Sequence, residues 1–297
     1  MTAKHYSNLE LSRFREVQAF AYRCAVEVVD SLQPGVTEKE AARALGERLQ
    51  REKIDGFFHQ PFAWFGDRTC FKGFRLPIDF FPTDRRLEEG MAAILDVAPQ
   101  RGGYGADIGY SFSCGPNPEL DRLHADLEGF RTSIADMVNR GETLAEIYRA
   151  VEDLLADLGL RNCHRHYPFG VLAHRIFAVP RSSLLSTPLA GFGVAASFGL
   201  LGQAVVSRVP AGIAKRLPKF LRQGTPFCNT GPGSDERPEP GLWAFEPHIA
   251  RGDIGAKWEE ILVVEDLRAY WLDDDLPHVH RWQRASNTAP RAAGAGG

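Results

Sequence analysis

The stretch Ile94 to Phe112, ILDVAPQRGGYGADIGYSF, constrains this chain more than any other. An apolar run ends in a Pro/Gly-rich turn. Tyr104, Ala106, Ile108, Tyr110 and Phe112 then alternate with small or polar residues, the pattern of a β-hairpin. A turn centred on Arg101-Gly102 sets Asp96 directly opposite Asp107. Cross-strand partners have Cβ atoms about 4.5–5.5 Å apart, and like charges there are destabilising. Two carboxylates so placed need a cation, or one must stay protonated. Gly105 and Gly109 flank Asp107 on its own face and leave room for something other than side chains. A metal site is the economical reading; a solvent-facing hairpin with two incidental acids is the alternative.

The rest of the composition is that of an ordinary globular protein. With 297 residues, 44% of them hydrophobic and a net charge of −3, the chain can bury a full core and carries no electrostatic footprint for nucleic acid. Its five cysteines (Cys24, Cys70, Cys114, Cys163, Cys228) are odd in number and lack C-x-x-C spacing, which implies neither a disulfide framework nor a zinc ribbon. The N-terminus lacks a signal-peptide core, so a cytoplasmic location is expected.

Helical periodicity runs from about Leu9 to Leu32 and stops at Pro34-Gly35. Thr37 to Glu40 is a capping box opening a second helix through about Gln50. Two more helices are expected at about 118–139 and 143–158, the latter capped by Thr143 with Glu146. The aromatic segment Phe57 to Gly66 reads as strand and loop. The runs Leu242–Ile249 and Ala256–Val264 read as strands, each carrying a carboxylate inside an apolar run, where an unpaired charge is costly. Glu259 and Glu260 have a solvated face as an alternative; Glu246, between Phe245 and Pro247, is harder to dismiss in that way. Cys163 to His174 holds three histidines in eleven residues, His164, His166 and His174. Between about 184 and 238 lies an insert whose first half is apolar and glycine-rich, followed by Lys215, Arg216, Lys219 and Arg222. A lid, half of a homodimer interface, or a membrane-surface segment at 190–222 are the readings it permits. The Ala/Gly-rich tail, 287–297, is expected to be disordered, leaving 1–286 as a single domain.

Asp96, Asp107, a histidine near 166, Glu246 and Glu259 together suit Mn²⁺, Co²⁺, Fe²⁺ or Zn²⁺, and four acids supply charge enough for two ions. This set, in this order, resembles the creatinase/methionine-aminopeptidase family of "pita-bread" metallopeptidases, including Xaa-Pro aminopeptidase- and dipeptidase-like members. The resemblance rests on Asp96 and Asp107 eleven positions apart in a hairpin, on Glu246-Pro247, on Glu259-Glu260-Ile261-Leu262-Val263, and on the Pro34–Glu38 turn with Phe65-Gly66 and Thr69 ahead of the hairpin. It implies an α/β (α+β) pita-bread fold: a curved antiparallel sheet flanked by helices, in two pseudo-symmetric halves. It implies two divalent metal ions on Asp96, Asp107, His166, Glu246 and Glu259, with Asp107 and Glu259 bridging. His174 and Glu246 take the catalytic roles. The implied function is hydrolysis of peptide or amide C–N bonds in a short-peptide or small-molecule substrate. A lyase or tailoring reaction on a small polar metabolite, or a non-catalytic binding role, are the alternatives.

The sequence departs from the family in three places. The family's ligand histidine stands seven residues before the second, catalytic histidine. Here His166 stands eight before His174 and His164 ten, so His166 is assigned as ligand through a one-residue bulge with His164 in reserve. Arg175 replaces the usual Glu after the second histidine. The substrate-binding histidine expected near Cys70–Phe74 is missing, which leaves His59 and His164 as substrate-binding candidates.

Overall fold

The computed structural model describes residues 4–178, 188–189, 192–193, 227–231 and 233–288. Most of the insert at 184–238 and all but the first two residues of the tail at 287–297 lie outside the described residues. Two helix pairs frame the molecule. In the first, α1 (Asn8–Ser31, 24 residues) is followed by α2 (Glu38–Arg51, 14 residues); in the second, α3 (Pro118–Arg140, 23 residues) is followed by α4 (Leu144–Asp157, 14 residues). The second helix of each pair opens with the same reciprocal cap, Thr37 with Glu40 and Thr143 with Glu146. Each box satisfies two backbone N–H groups that would otherwise lack partners, and losing such a cap costs about 1 kcal/mol. This duplication of helix lengths and caps is the pseudo-symmetry the sequence implied.

Each helix pair backs its own antiparallel sheet. Strands β1 (Gly56–Phe65), β2 (Ala92–Arg101), β3 (Tyr104–Gly105) and β4 (Ile108–Ser113) build the first with the short β7 (Pro188–Leu189) and β8 (Phe192–Gly193), while β9 (Phe227–Cys228) lies at an edge of the second. The second is built around β6 (Ala173–Ile176), β10 (Gly241–Phe245) and β13 (Glu260–Val264), and a smaller sheet pairs β5 (Arg161–Asn162) with β11 (His248–Arg251) and β11 with β12 (Ile254–Lys257). Phe14, Phe65, Phe130, Trp64, Trp243 and Trp258 are fully or almost fully buried between helices and sheets. Each such large side chain contributes roughly 1.5–3 kcal/mol of transfer free energy. A bridge from Tyr110 to Trp258 joins the two halves. It is reinforced by Ser111, whose hydroxyl donates to the Lys257 carbonyl and accepts from the Lys257 N–H, both at 2.8 Å.

The hairpin forms with a register different from the expected one. Asp96 pairs with Gly109 and Gln100 with Gly105, so the turn residues are Gly102 and Gly103. Both have positive φ, 64° and 83°. A two-residue hairpin turn of this kind asks for φ > 0 at both central positions, which two glycines supply and Arg101 would resist. Asp107 therefore lies diagonally from Asp96 on the same face, and Gly109 is the residue opposite Asp96. The two expected C-terminal strands also each divide, at Glu246-Pro247 and at Trp258-Glu259. Both carboxylates so fall at strand breaks, where the side chain is freed from strict ladder alternation.

Candidate active site

The strands bring Asp96, Asp107, Glu246 and Glu259 together, all at most 6% exposed. What lies between them is a side chain. Lys257, whose side chain is fully buried, places its Nζ 2.5 Å from Asp96 Oδ2, 2.9 Å from Glu246 Oε2 and 3.0 Å from Glu259 Oε2. The space the sequence reserved beside Gly109 for something other than side chains is taken by this lysine stem. A Cβ added at Gly109 would fall 2.3 Å from Lys257 Cε and 2.8 Å from Cδ. Burial disfavours the ammonium's charge, but Asp96, Glu246 and Glu259 outweigh it and hold its pKa well above that of an ordinary lysine.

Two histidines complete the arrangement. His59, on β1, sets Nε2 3.0 Å from Asp107 Oδ1 and 3.3 Å from Asp96 Oδ1, with Nδ1 2.9 Å from the Gln60 carbonyl. His174, on β6, sets Nε2 3.3 Å from Asp107 Oδ2 and 3.5 Å from Glu259 Oε1, with Nδ1 3.3 Å from its neighbour's carbonyl. A ring with acceptors at both nitrogens donates from both and is an imidazolium. Burial opposes the charge in each case, yet the facing carboxylates raise His59 to about 9 and His174 well above the ordinary value. The result is a closed ring of alternating charge: Lys257, Asp96, His59, Asp107, His174, Glu259 and back to Lys257.

The charges nearly cancel, three cations against four carboxyl groups. Burial and the Glu259 charge push Glu246 up to about 8, so it takes up a proton more readily than an ordinary carboxylate. Asp107 stays below the usual carboxylate range because His59 and His174 overcome its burial, whereas burial and Asp107 raise Glu259. A pocket opens against Asp107 and His174, lined also by Phe58, Ala98, Gln100 and Ala106, with the Phe58 ring stacked 6.1 Å from that of His174.

The other expected site residues are placed elsewhere. His166 lies exposed on a 3-10 turn (His164–His166), against the edge of Phe71, and joins neither group of close donors. His164 is fully buried edge-on to Tyr148. Among the described residues no partner meets either of its ring nitrogens in hydrogen-bonding geometry, and burial pushes its pKa down to about 3. The position seven residues before His174 is Tyr167. Its hydroxyl donates to His248 Nδ1 at 3.0 Å, and its ring centre lies 5.0 Å from Lys257 Nζ. Glu260 is buried on the opposite face, where it accepts from Arg131 and His278. Arg175 lies over Trp243 and donates to the Pro240 carbonyl. Lys257 and Tyr167 were therefore the residues sequence reasoning passed over. The signal was present: Lys257 stands two residues before Glu259 in a strand-like run, the spacing that shares a face.

The resemblance implies divalent ions on these carboxylates. His59, Asp96 and Asp107, and separately Asp107, His174 and Glu259, hold donor atoms within 4.8 Å of one another, close enough to hold an ion. A pair of ions on the full set does not fit the residues present. The Lys257 ammonium already engages three of the four carboxylates, and the ligand-histidine position holds a tyrosine turned to His248.

Among the described residues, no helix is long and apolar enough to cross a membrane. No curated protein matches the sequence. The fold is similar to X-Pro aminopeptidase from Thermotoga maritima MSB8, with a TM-score of 0.63 and 18% identity over 93% of this chain and 63% of that one. It is also similar to dipeptidase PepE from Mycobacterium ulcerans, with a TM-score of 0.61 and 20% identity over 92% of this chain and 59% of that one. For a prolidase from Thermococcus sibiricus the TM-score is 0.60 and the identity 14%, over 92% and 62% of the two chains. The chain thus spans about three fifths of the length of each of these structures. The profile of metallopeptidase family M24 matches residues 12–266, and with the pita-bread architecture and the carboxylate set in place, the chain belongs to that family.

Proposed function

We propose that the chain hydrolyses a peptide or amide C–N bond in a small substrate that enters against Asp107 and His174. Membership in a metallopeptidase family implies divalent-metal binding as the family's common chemistry, and the similar structures are named as an X-Pro aminopeptidase, a prolidase and a dipeptidase. The observation that carries the reading is His174, held by two carboxylates at the wall of an open pocket. With both N–H groups held by protein acceptors, its imidazolium sets a fixed positive charge beside the pocket that stabilises negative charge developing on a carbonyl oxygen, a role commonly worth 10²–10³ or more in rate. Glu259, more basic than an ordinary carboxylate, accepts a proton from the attacking water. Glu246, protonated below about pH 8, returns one to the departing nitrogen.

Release of free amine from a panel of N-terminal dipeptides, Xaa-Pro peptides and small amides, with and without EDTA, tests this. No release from any of them by the wild type, while the protein remains folded, would contradict it.

Lys257 and Tyr167 favour a second reading, in which the same groups eliminate or rearrange rather than hydrolyse. Turnover in ¹⁸O-water separates the two, because hydrolysis puts the label in the carboxyl product and elimination does not.

A further inference from the structure

We infer that Lys257 supplies the chain's own resident cation, seated between Asp96, Glu246 and Glu259 and excluding a divalent ion from that seat. Five features converge on it. The ammonium lies within hydrogen-bonding distance of one oxygen from each of the three carboxylates, and its side chain is fully buried. The other oxygen of Asp96 lies 3.3 Å from His59 Nε2, and that of Glu259 lies 3.5 Å from His174 Nε2, an ion-pair distance without a hydrogen bond.

The stem has been given its room. Gly109, opposite Asp96 in the hairpin, is the residue whose Cβ would collide with Lys257 Cε. The backbone of Lys257 is fixed by both hydrogen bonds to Ser111, and from there the side chain runs past Gly109 into the cluster. Finally, Tyr167 stands where the family motif has its ligand histidine. Its hydroxyl is committed to His248 and its ring face is turned to the ammonium, so it adds a cation–π contact where a metal donor would stand. A lysine, its glycine notch, its serine clip and a tyrosine lid form one consistent substitution of a covalently tethered cation for an exchangeable one.

The inference does not rest on the hydrolytic reading, because its test counts metal rather than turnover. The full-length chain is stripped with EDTA, dialysed against Mn²⁺, and its bound manganese measured by elemental analysis beside Lys257→Ala and Lys257→Arg. The wild type and Lys257→Arg are expected to bind fewer than two equivalents. Lys257→Ala, with the seat vacated, is expected to bind at least one equivalent more and to gain thermal stability on adding Mn²⁺. Two equivalents on the wild type, or equal stoichiometry in wild type and Lys257→Ala, would overturn it. If Lys257→Ala does not fold, the wild-type count still decides: two equivalents refute the proposal and fewer support it.

Discussion

Two pairs of histidines in this molecule make opposite use of burial. His59 and His174 sit on strands, point into carboxylates and are held as cations. His164 and His166 sit on a 3-10 turn, one buried as a neutral ring and the other exposed. In the sequence the second pair shares its cluster with His174, while His59 stands alone among aromatics. Side-chain direction decides otherwise. A strand of known register delivers a side chain to a known face, whereas a short turn can rotate its residues anywhere.

The sharpest way to break the comparison is His174→Ala. Turnover should fall by roughly 10²–10⁴, the range for a positioned acid/base or electrostatic group, with the fold retained by circular dichroism. An unchanged kcat would place the chemistry elsewhere.

The pH dependence of stability should separate the pairs by sign. His59 is raised from 6.5 to about 9, so its contribution is complete below pH 6.5 and is lost as pH climbs through 9. His164 is lowered from 6.5 to about 3, so the unfolded chain takes up its proton first and stability falls as pH drops from 6.5 toward 3. Each group contributes a slope of at most about 1.36 kcal/mol per pH unit. Urea unfolding from pH 4 to 9 should show a flatter alkaline limb in His59→Gln and a flatter acid limb in His164→Phe. The acid limb will not vanish, because buried His124, also lowered to about 3, shares it.

A change at Gly109 probes the Lys257 side of the ring. Gly109→Ala forces the lysine stem aside and should cost about 1–3 kcal/mol, as overpacking of a filled interior does. Stability equal to wild type would mean that the stem does not lie in the notch. The smallest effect is expected at the exposed cluster member: His166→Ala should change stability by less than about 0.5 kcal/mol and leave turnover intact.

Much of this was legible in the chain. The four acids that the family resemblance grouped lie together, and the caps at Thr37 and Thr143 open helices where the sequence placed them. The hairpin register was not, because choosing between Arg101-Gly102 and Gly102-Gly103 depends on which residues accept positive φ, and the slip moves Asp107 from a direct to a diagonal neighbour of Asp96. Lys257 was hidden for a different reason. A lysine beside two glutamates at a strand end reads as solvated charge, and only the packing of β4 against β12 shows that it turns inward past Gly109.

The central claim is that a lysine ammonium occupies the cation seat of this metallopeptidase-family site. Crystals of the full chain soaked in Mn²⁺ and measured at the manganese absorption edge test it most directly. Electron density for Lys257 Nζ is expected among Asp96, Glu246 and Glu259, with no anomalous peak at that position. An anomalous peak bridging Asp96 and Glu259, with Lys257 turned away, would contradict it.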